Sequence, residues 1–334
     1  MKIALDISPA LYGTGVSDYT TELARRLPVL QFGYSLRRRP ELQRLFPAAR
    51  VFPFPPTAMH YLWNKLHVFS VENLTGHVDV YHSSDWTQAP SSAKKVTAVH
   101  DLAPFLYPDE TSHEIVAAHT ARMKWVVKEC DKIICVSQNT ANDMSKLFPE
   151  SFPRLIVIPE ALPSRFLLHP TTHYSQPYLL TIGARQPRKN IARLISACAR
   201  LSKKLIIIGE HDSSFMPHDS VTFTGYISDQ ELVNYLAGAA CFAYPSLYEG
   251  FGLPILGAFH HKAPVACSDI AVFHETAGSA AAYFDPLDEE SIANSITEAI
   301  KNKKTLTAAG TKQLSKFSWS QTATETMKVY KSLC

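Results

Sequence analysis

Short apolar runs of strand length alternate with amphipathic stretches of helix length from one end of this chain to the other, and few folds are open to that rhythm. Strand-like runs fall at 2–7, 79–82, 96–101, 132–136 and 155–158, and again at 178–182, 204–208, 221–224, 241–244 and 264–267. Helical patterns lie between them, as at 16–27, 114–129, 192–201 and 291–302. Continuous apolar strands separated by helices imply parallel sheets covered on both faces. With 334 residues the chain is long enough for two such domains. Residues 163–177 are rich in Pro, Ser, Thr and His and lack periodicity, so the linker is expected there. Residues 28–77 are the least legible part: prolines cluster at Pro53, Pro55 and Pro56 beside Tyr61 and Trp63, and loops with one or two helices are expected.

Several function classes drop out on composition. No apolar run approaches the length of a membrane span. The first residues enter a strand directly, without the pattern of a signal peptide. Six cysteines are scattered, with Cys135, Cys241 and Cys267 inside apolar strands and no CxxC, which reads as reduced core residues in a cytoplasmic protein. A net charge of +3 is too small to argue for nucleic acid. The charge is uneven, however. Arg25, Arg26, Arg37, Arg38, Arg39, Arg44 and Arg50 lie close together with Glu41 among them. They form either a solvated face or a patch for anionic lipid or a phosphorylated acceptor.

The chemistry-bearing residues sit where strands end. Tyr-Pro-Ser-Leu-Tyr-Glu-Gly-Phe-Gly-Leu-Pro at 244–254 closes a strand with a tight turn, places Glu249 at the turn, and starts a helix near Pro254. Such a turn offers bare backbone N–H groups and one carboxylate where open α/β sheets bind ligands; it is also an ordinary strand-to-helix turn. Asp6 ends the first strand, and Gly13-Thr14-Gly15 opens a helix, either a phosphate or sugar approach or a plain turn. It is no dinucleotide fingerprint, because Asp18 stands in place of the third glycine. His100 and Asp101 end another strand, as ligand-orienting or as structural groups. Gly183 closes a strand, and Arg188 and Lys189 sit where the next helix begins, suited to a departing diphosphate or to solvent. Tyr226 and Ile227 precede a capped helix, along which a flat base could stack. There is no Asp-x-Asp, HExxH, spaced His/Cys set, GxSxG or Walker-type loop, so no metal is expected, and a hydrolase or P-loop NTPase is disfavoured.

Taken in order, these pieces resemble the retaining glycosyltransferases of family 4, the group 1 glycosyl transferases. The motifs are the GTG loop at 13–15, VHDL at 99–102, CVSQNT at 135–140, GARQPRKN at 183–190, TGYISDQEL at 224–232, YPSLYEGFGLP at 244–254 and FSWSQTA at 317–323. The resemblance implies a GT-B fold: two Rossmann-like α/β domains with parallel sheets facing a cleft. It places an acceptor-binding domain at 1–165, a nucleotide-sugar-binding domain at 166–316, and a terminal helix within 317–334 that crosses back. It implies that Arg188 and Lys189 grip the diphosphate and Glu249 the sugar hydroxyls. His100 would lie near the sugar, and Phe251-Gly252-Leu253 would cradle sugar and phosphate. Gly13, Gly15, Gly183, Tyr226 and Ile227 would line the donor site. No cofactor is implied. A hexose would pass with retention from a nucleotide-diphospho-sugar, GDP-mannose or a UDP-sugar, to a glycan or lipid-linked acceptor of a surface polysaccharide. The arginines at 25–50 would suit a peripheral protein on the inner membrane face.

One departure bears on that reading. The family pattern places a second acid eight residues after the first, to hold the ribose, and here the position is Gly257. A hydrogen bond of that charged kind is worth about 1.5–3 kcal/mol. A non-catalytic binding module with a decayed donor site is therefore the alternative, and a sugar-nucleotide epimerase a more distant one. Glu160 also stands where the family often has Asn.

Overall fold

Each apolar run named above forms a strand, and every strand pairs in parallel with its neighbours in a computed structural model that describes residues 1–172, 177–183, 186–210 and 220–334. The first sheet has seven strands: β1 (Ile3–Asp6), β2 (Leu30–Tyr34), β3 (Arg50–Phe52), β4 (Val80–Ser83), β5 (Lys94–Val99), β6 (Lys132–Cys135) and β7 (Leu155–Val157), in the order β3-β2-β1-β4-β5-β6-β7. The second has six: β8 (Tyr178–Ile182), β9 (Lys204–Ile208), β10 (Val221–Phe223), β11 (Cys241–Tyr244), β12 (Val265–Ser268) and β13 (Ala281–Phe284), in the order β10-β9-β8-β11-β12-β13. Strand order reverses between β1 and β4 in one sheet and between β8 and β11 in the other. Loops leaving the carboxyl ends of such a strand pair diverge to opposite faces, and the crevice between them is where open sheets hold ligands.

Contacts divide the chain into Met1–Glu160 with Ser318–Cys334, and Ala161–Phe317. The division falls after Glu160 rather than after residue 165. Residues 161–165 join the second unit, where the following Phe166 is buried with its ring against Gly257. Part of the expected linker, residues 173–176, lies outside the described residues, as do Ala184 and Arg185 of the GARQPRKN motif. In the second unit Leu179, Leu205, Ile207, Cys241 and Ala243 of the sheet pack against Leu194, Ile292 and Ile296. Burial pushes the thiols of Cys130, Cys135, Cys198 and Cys241 up to about 12, which leaves them protonated and unreactive.

Three strands were not anticipated. β2 and β3 fall within the stretch expected to hold only loops and helices, and β13 was not expected at all. β2 carries Gln31 and Gly33, which break an apolar run. Gly33 sits in a tight place: a Cβ would stand 2.9 Å from a Leu42 methyl and 3.3 Å from the Ser8 backbone nitrogen, so neighbours would have to shift. β3 is a three-residue edge strand next to prolines, and β13 reads Ala-Ala-Tyr-Phe, with two residues of poor strand propensity.

The terminal helix Trp319–Lys331 belongs by its contacts to the first unit. Trp319, Val329 and Tyr330 are buried there, and the Thr322 hydroxyl donates to the Pro159 carbonyl at 2.7 Å. No helix among the described residues is long and apolar enough to cross a membrane.

Candidate functional site

In the second unit the loops leaving β8 and β11 meet because those strands are neighbours at the reversal. After β8, Gly183 takes a left-handed φ of +96°. A Cβ there would touch the Lys189 side chain at 3.4 Å, so the glycine leaves the lysine stem its path. A short turn, Pro187–Lys189, follows. Asn190 closes it in the left-handed region, which asparagine tolerates, and anchors itself by donating to the Pro286 carbonyl at 2.7 Å. The helix Ile191–Arg200 then begins. The Leu247 N–H donates to the Arg188 carbonyl at 2.7 Å and fastens one loop to the other.

That fastening assembles a charged cluster. Lys189 Nζ donates to Glu249 Oε1 at 2.5 Å and to the Tyr244 hydroxyl at 3.0 Å. Arg188 Nη1 donates to the Tyr248 carbonyl at 2.9 Å and lies 3.7 Å from Glu249 Oε2. Burial raises the Glu249 carboxyl, but Lys189 first and Arg188 next outweigh it, and with the Ser246 hydroxyl they hold it below the ordinary carboxylate range. Burial, reinforced by the Glu249 charge, pushes the Tyr244 phenol well above its usual value, so it stays protonated. Both cations contact this one carboxylate, largely out of water. Beyond Glu249, the Phe251 carbonyl accepts from the Thr276 hydroxyl at 2.5 Å. Gly252, at φ +99°, turns the chain into the helix Leu253–His260.

The first unit carries a second constellation. His100 follows β5 and its Nδ1 lies 2.8 Å from Glu160 Oε1. The Tyr19 ring stands edge-on to it at 4.8 Å. Burial lowers the imidazole, but the Glu160 bond and charge, with Asp85 and Asp101, outweigh it and raise His100 above its ordinary value. Nδ1–H is thereby spent on Glu160, and Nε2 has no partner among the described residues. Asp101 accepts instead from the Ala103 N–H at 2.9 Å, a structural duty. Gly13 takes φ +71°, and its N–H donates to the Ser17 hydroxyl at 2.7 Å. Thr14 caps the helix that starts at Gly15.

Two family models match consecutive stretches of the chain: Glycosyltransferase Family 4 over residues 13–163 and Glycosyl transferases group 1 over residues 170–314. The chain belongs to the family 4 glycosyltransferases. It is 27% identical to O-antigen chain mannosyltransferase B of Escherichia coli, with both chains covered completely. Sucrose-phosphate synthase from Thermosynechococcus elongatus superposes with a TM-score of 0.77 at 17% identity over 100% of this chain and 99% of that one. HepE of Anabaena, solved with UDP and glucose, superposes with a TM-score of 0.72 at 15% identity over 99% and 100%. These likenesses assign the GT-B fold.

The glycosyltransferase thus joins three of its expected residues, Arg188, Lys189 and Glu249, with Gly183 beside them. His100 lies in the other unit with Gly13 and Gly15. Phe251 and Leu253 are buried and serve packing, Phe251 through an edge contact with Phe317 at 5.5 Å, so only their backbone can face a donor. Tyr226 is 90% exposed, and neither it nor Ile227 has a hydrogen bond or ring contact with the charged cluster. Tyr244, Ser246, Asn190 and Thr276 were not singled out. The first three lie inside the motifs that carry the resemblance, whereas Thr276 has no sequence mark. No three His, Cys, Asp or Glu side chains gather as a metal site among the described residues.

Gly257 is not a vacated position. A Cβ there would stand 2.7 Å from the Phe166 ring, so the aromatic side chain fills the space a ribose-binding acid would leave by. A glutamate at this position would meet the Phe166 ring, a steric obstacle that the sequence does not reveal.

Proposed function

We propose that this glycosyltransferase moves a hexose, with retention, from a nucleotide-diphospho-sugar to a glycan or lipid-linked acceptor in polysaccharide synthesis. The observation that carries the reading is the Lys189–Glu249–Arg188 cluster at the carboxyl ends of β8 and β11. Its two cations suit a diphosphate, and its carboxylate suits hydroxyl donors on a sugar. When a donor binds, the two cations turn to the phosphates and Glu249 is released to accept from the sugar. The bond from the anomeric carbon to the phosphate oxygen then breaks, and the acceptor oxygen bonds to the same face. Its proton passes to the departing phosphate. Arg188 and Lys189 stabilise the charge that gathers there, and no bound metal is needed for that stabilisation.

Mannose is the sugar favoured by the O-antigen mannosyltransferase relative, which makes GDP-mannose the first donor to try; the UDP bound by HepE makes UDP-sugars the second. Calorimetry with GDP, UDP and ADP on the purified protein, without added metal, separates them. Tight binding of one nucleotide, lost in Lys189→Ala, is expected. Failure of all three to bind would return the reading to a non-catalytic module.

A further inference from the structure

Between residues 61 and 69 the first unit turns four large apolar side chains outward: Tyr61 is 56% exposed, Leu66 51%, Val68 47% and Phe69 37%. This exposure is built rather than loose. His67 and Phe69 both sit in the left-handed region, at φ 54° and 64°, which bulky residues avoid unless their surroundings insist. The surroundings do insist. The His67 ring stacks on Trp125 at 3.6 Å, its Nδ1 lies 2.9 Å from the Trp63 carbonyl, and its Nε2 lies 2.9 Å from Glu129. The fully buried Trp63 donates to the Phe69 carbonyl at 2.8 Å, and Trp125 donates to the Asn64 carbonyl at 2.9 Å. The loop is bolted to the helix His113–Glu129, and the apolar tips are what it holds out.

Three lysines without an ion pair among the described residues stand around these tips. Lys65 is exposed beside Leu66. The Lys124 and Lys128 ammonium groups lie 5.0 and 5.1 Å from the centre of the Trp125 ring on which His67 stacks. None of the three is in an ion pair among the described residues. Of the neighbouring acids, Glu129 is paired with His67 and Lys95, while Glu72 is held as a carboxylate by Ser70, Ser91 and Ser92. The arginine cluster differs. Arg26 bonds to Glu22, Arg38 to Glu41, Arg39 to the Val51 carbonyl and Arg50 to the Thr75 carbonyl, so four of its seven members serve the fold.

We propose that this loop docks on an anionic lipid bilayer. Leu66, Val68 and Phe69 enter between headgroups, Tyr61 lies at their level, and Lys65, Lys124 and Lys128 meet the phosphates. Apolar tips with a lysine collar are the chemistry of interfacial anchoring, and a rigid loop inserts without an ordering cost. The surface lies wholly within the first unit, and the proposal stands apart from the donor reading.

Vesicle sedimentation tests it, with phosphatidylcholine alone and with phosphatidylcholine mixed with phosphatidylglycerol. The wild-type chain is expected to bind the anionic vesicles and to release as salt rises. Lys65→Gln/Lys124→Gln/Lys128→Gln should weaken partitioning by about a hundredfold, and Leu66→Ser/Phe69→Ser by about tenfold or more. Arg25→Gln/Arg37→Gln/Arg44→Gln should leave it within about threefold. Nucleotide binding and melting temperature report folding in each variant. The lysine variant touches only surface groups, so it decides the matter even if the apolar variant fails to fold. Absence of wild-type binding, or equal binding by the lysine variant, would overturn the proposal. So would a dimer in lipid-free solution that Leu66→Ser/Phe69→Ser dissociates, because the patch would then belong to a second copy of this chain.

Discussion

Glu249 is held by two cations before any ligand arrives, and that pre-pairing sets what its removal should do. Its carboxyl is depressed in the folded protein, so it contributes stability above its ordinary value that is lost as the pH falls through the lowered one. Glu249→Gln should therefore lose about 3 kcal/mol at neutral pH, the scale of breaking a buried ion pair, with the difference from wild type shrinking in acid. Denaturant melts of both proteins at several pH values measure it; a deficit that is the same at every pH would contradict the pairing. Lys189→Ala should lower turnover by about a hundredfold or more, the scale of one donor aimed at developing charge. The His100–Glu160 pair runs the other way. His100 is raised, so its contribution is present below its ordinary value and fades as the pH rises through the elevated one. Glu160→Gln leaves burial, which lowers the imidazole, in force. Asp85 and Asp101 still favour its charge, while His82 and Tyr19 pack nearby. An NMR titration of His100 should show its midpoint falling, and the alkaline limb of the activity profile should move to lower pH with it.

At the level of elements, the same loop–strand logic explains both what the sequence revealed and what it hid. β8, β9 and β11 were legible to the residue, because buried parallel strands are unbroken apolar runs ended by glycine, proline or a charge. β2 was hidden because Gly33, against which Leu42 packs closely, interrupts its apolar run, and the cause of a glycine in a strand is invisible without its neighbour. Glu249 and Lys189 could be nominated from turn chemistry, but their 2.5 Å contact depends on β8 lying beside β11, which no local pattern states. Gly257 shows the limit most sharply, since a pattern reads it as a lost acid and the helix reads it as room for Phe166. Alanine in place of a helical glycine ordinarily gains about 1 kcal/mol. Here the methyl would meet the Phe166 ring at 2.7 Å, and overpacking of that kind costs about 1–3 kcal/mol. Gly257→Ala should thus destabilise the protein, and the same change made in a Phe166→Ala background should cost less, as a double-mutant cycle would read. A stabilised Gly257→Ala in chemical denaturation would mean that the ring yields freely. Gly257→Glu should lose more stability still and gain no nucleotide affinity.

Over the whole molecule, the chain begins and ends in the same unit, and the last helix is the piece by which the first unit depends on residues more than two hundred positions away in sequence. The tie is chemical as well as apolar. The Tyr330 hydroxyl and His82 Nδ1 are hydrogen-bonded at 2.5 Å, and Trp319 packs edge-on to Tyr19 at 6.2 Å. Burial, with the charges of His100 and Arg122, pushes His82 down to about 3, so it is neutral when folded while an unfolded chain binds a proton near 6.5. Stability from this neutral histidine is complete above 6.5 and is lost as the pH falls toward 3. Acidification should accordingly weaken the first unit through His82, as it weakens the second through Glu249. Trp319→Ala should cost about 3–5 kcal/mol, the price of an emptied aromatic site, and should also disturb the Tyr19–His100 contact. Calorimetric scans of wild type and Trp319→Ala, each with and without the nucleotide that binds, separate the two bodies. The variant should lower the transition that nucleotide does not shift and leave nucleotide affinity unchanged. Equal loss in both transitions would mean that the terminal helix supports the second unit as well, and that the two sheets unfold as one.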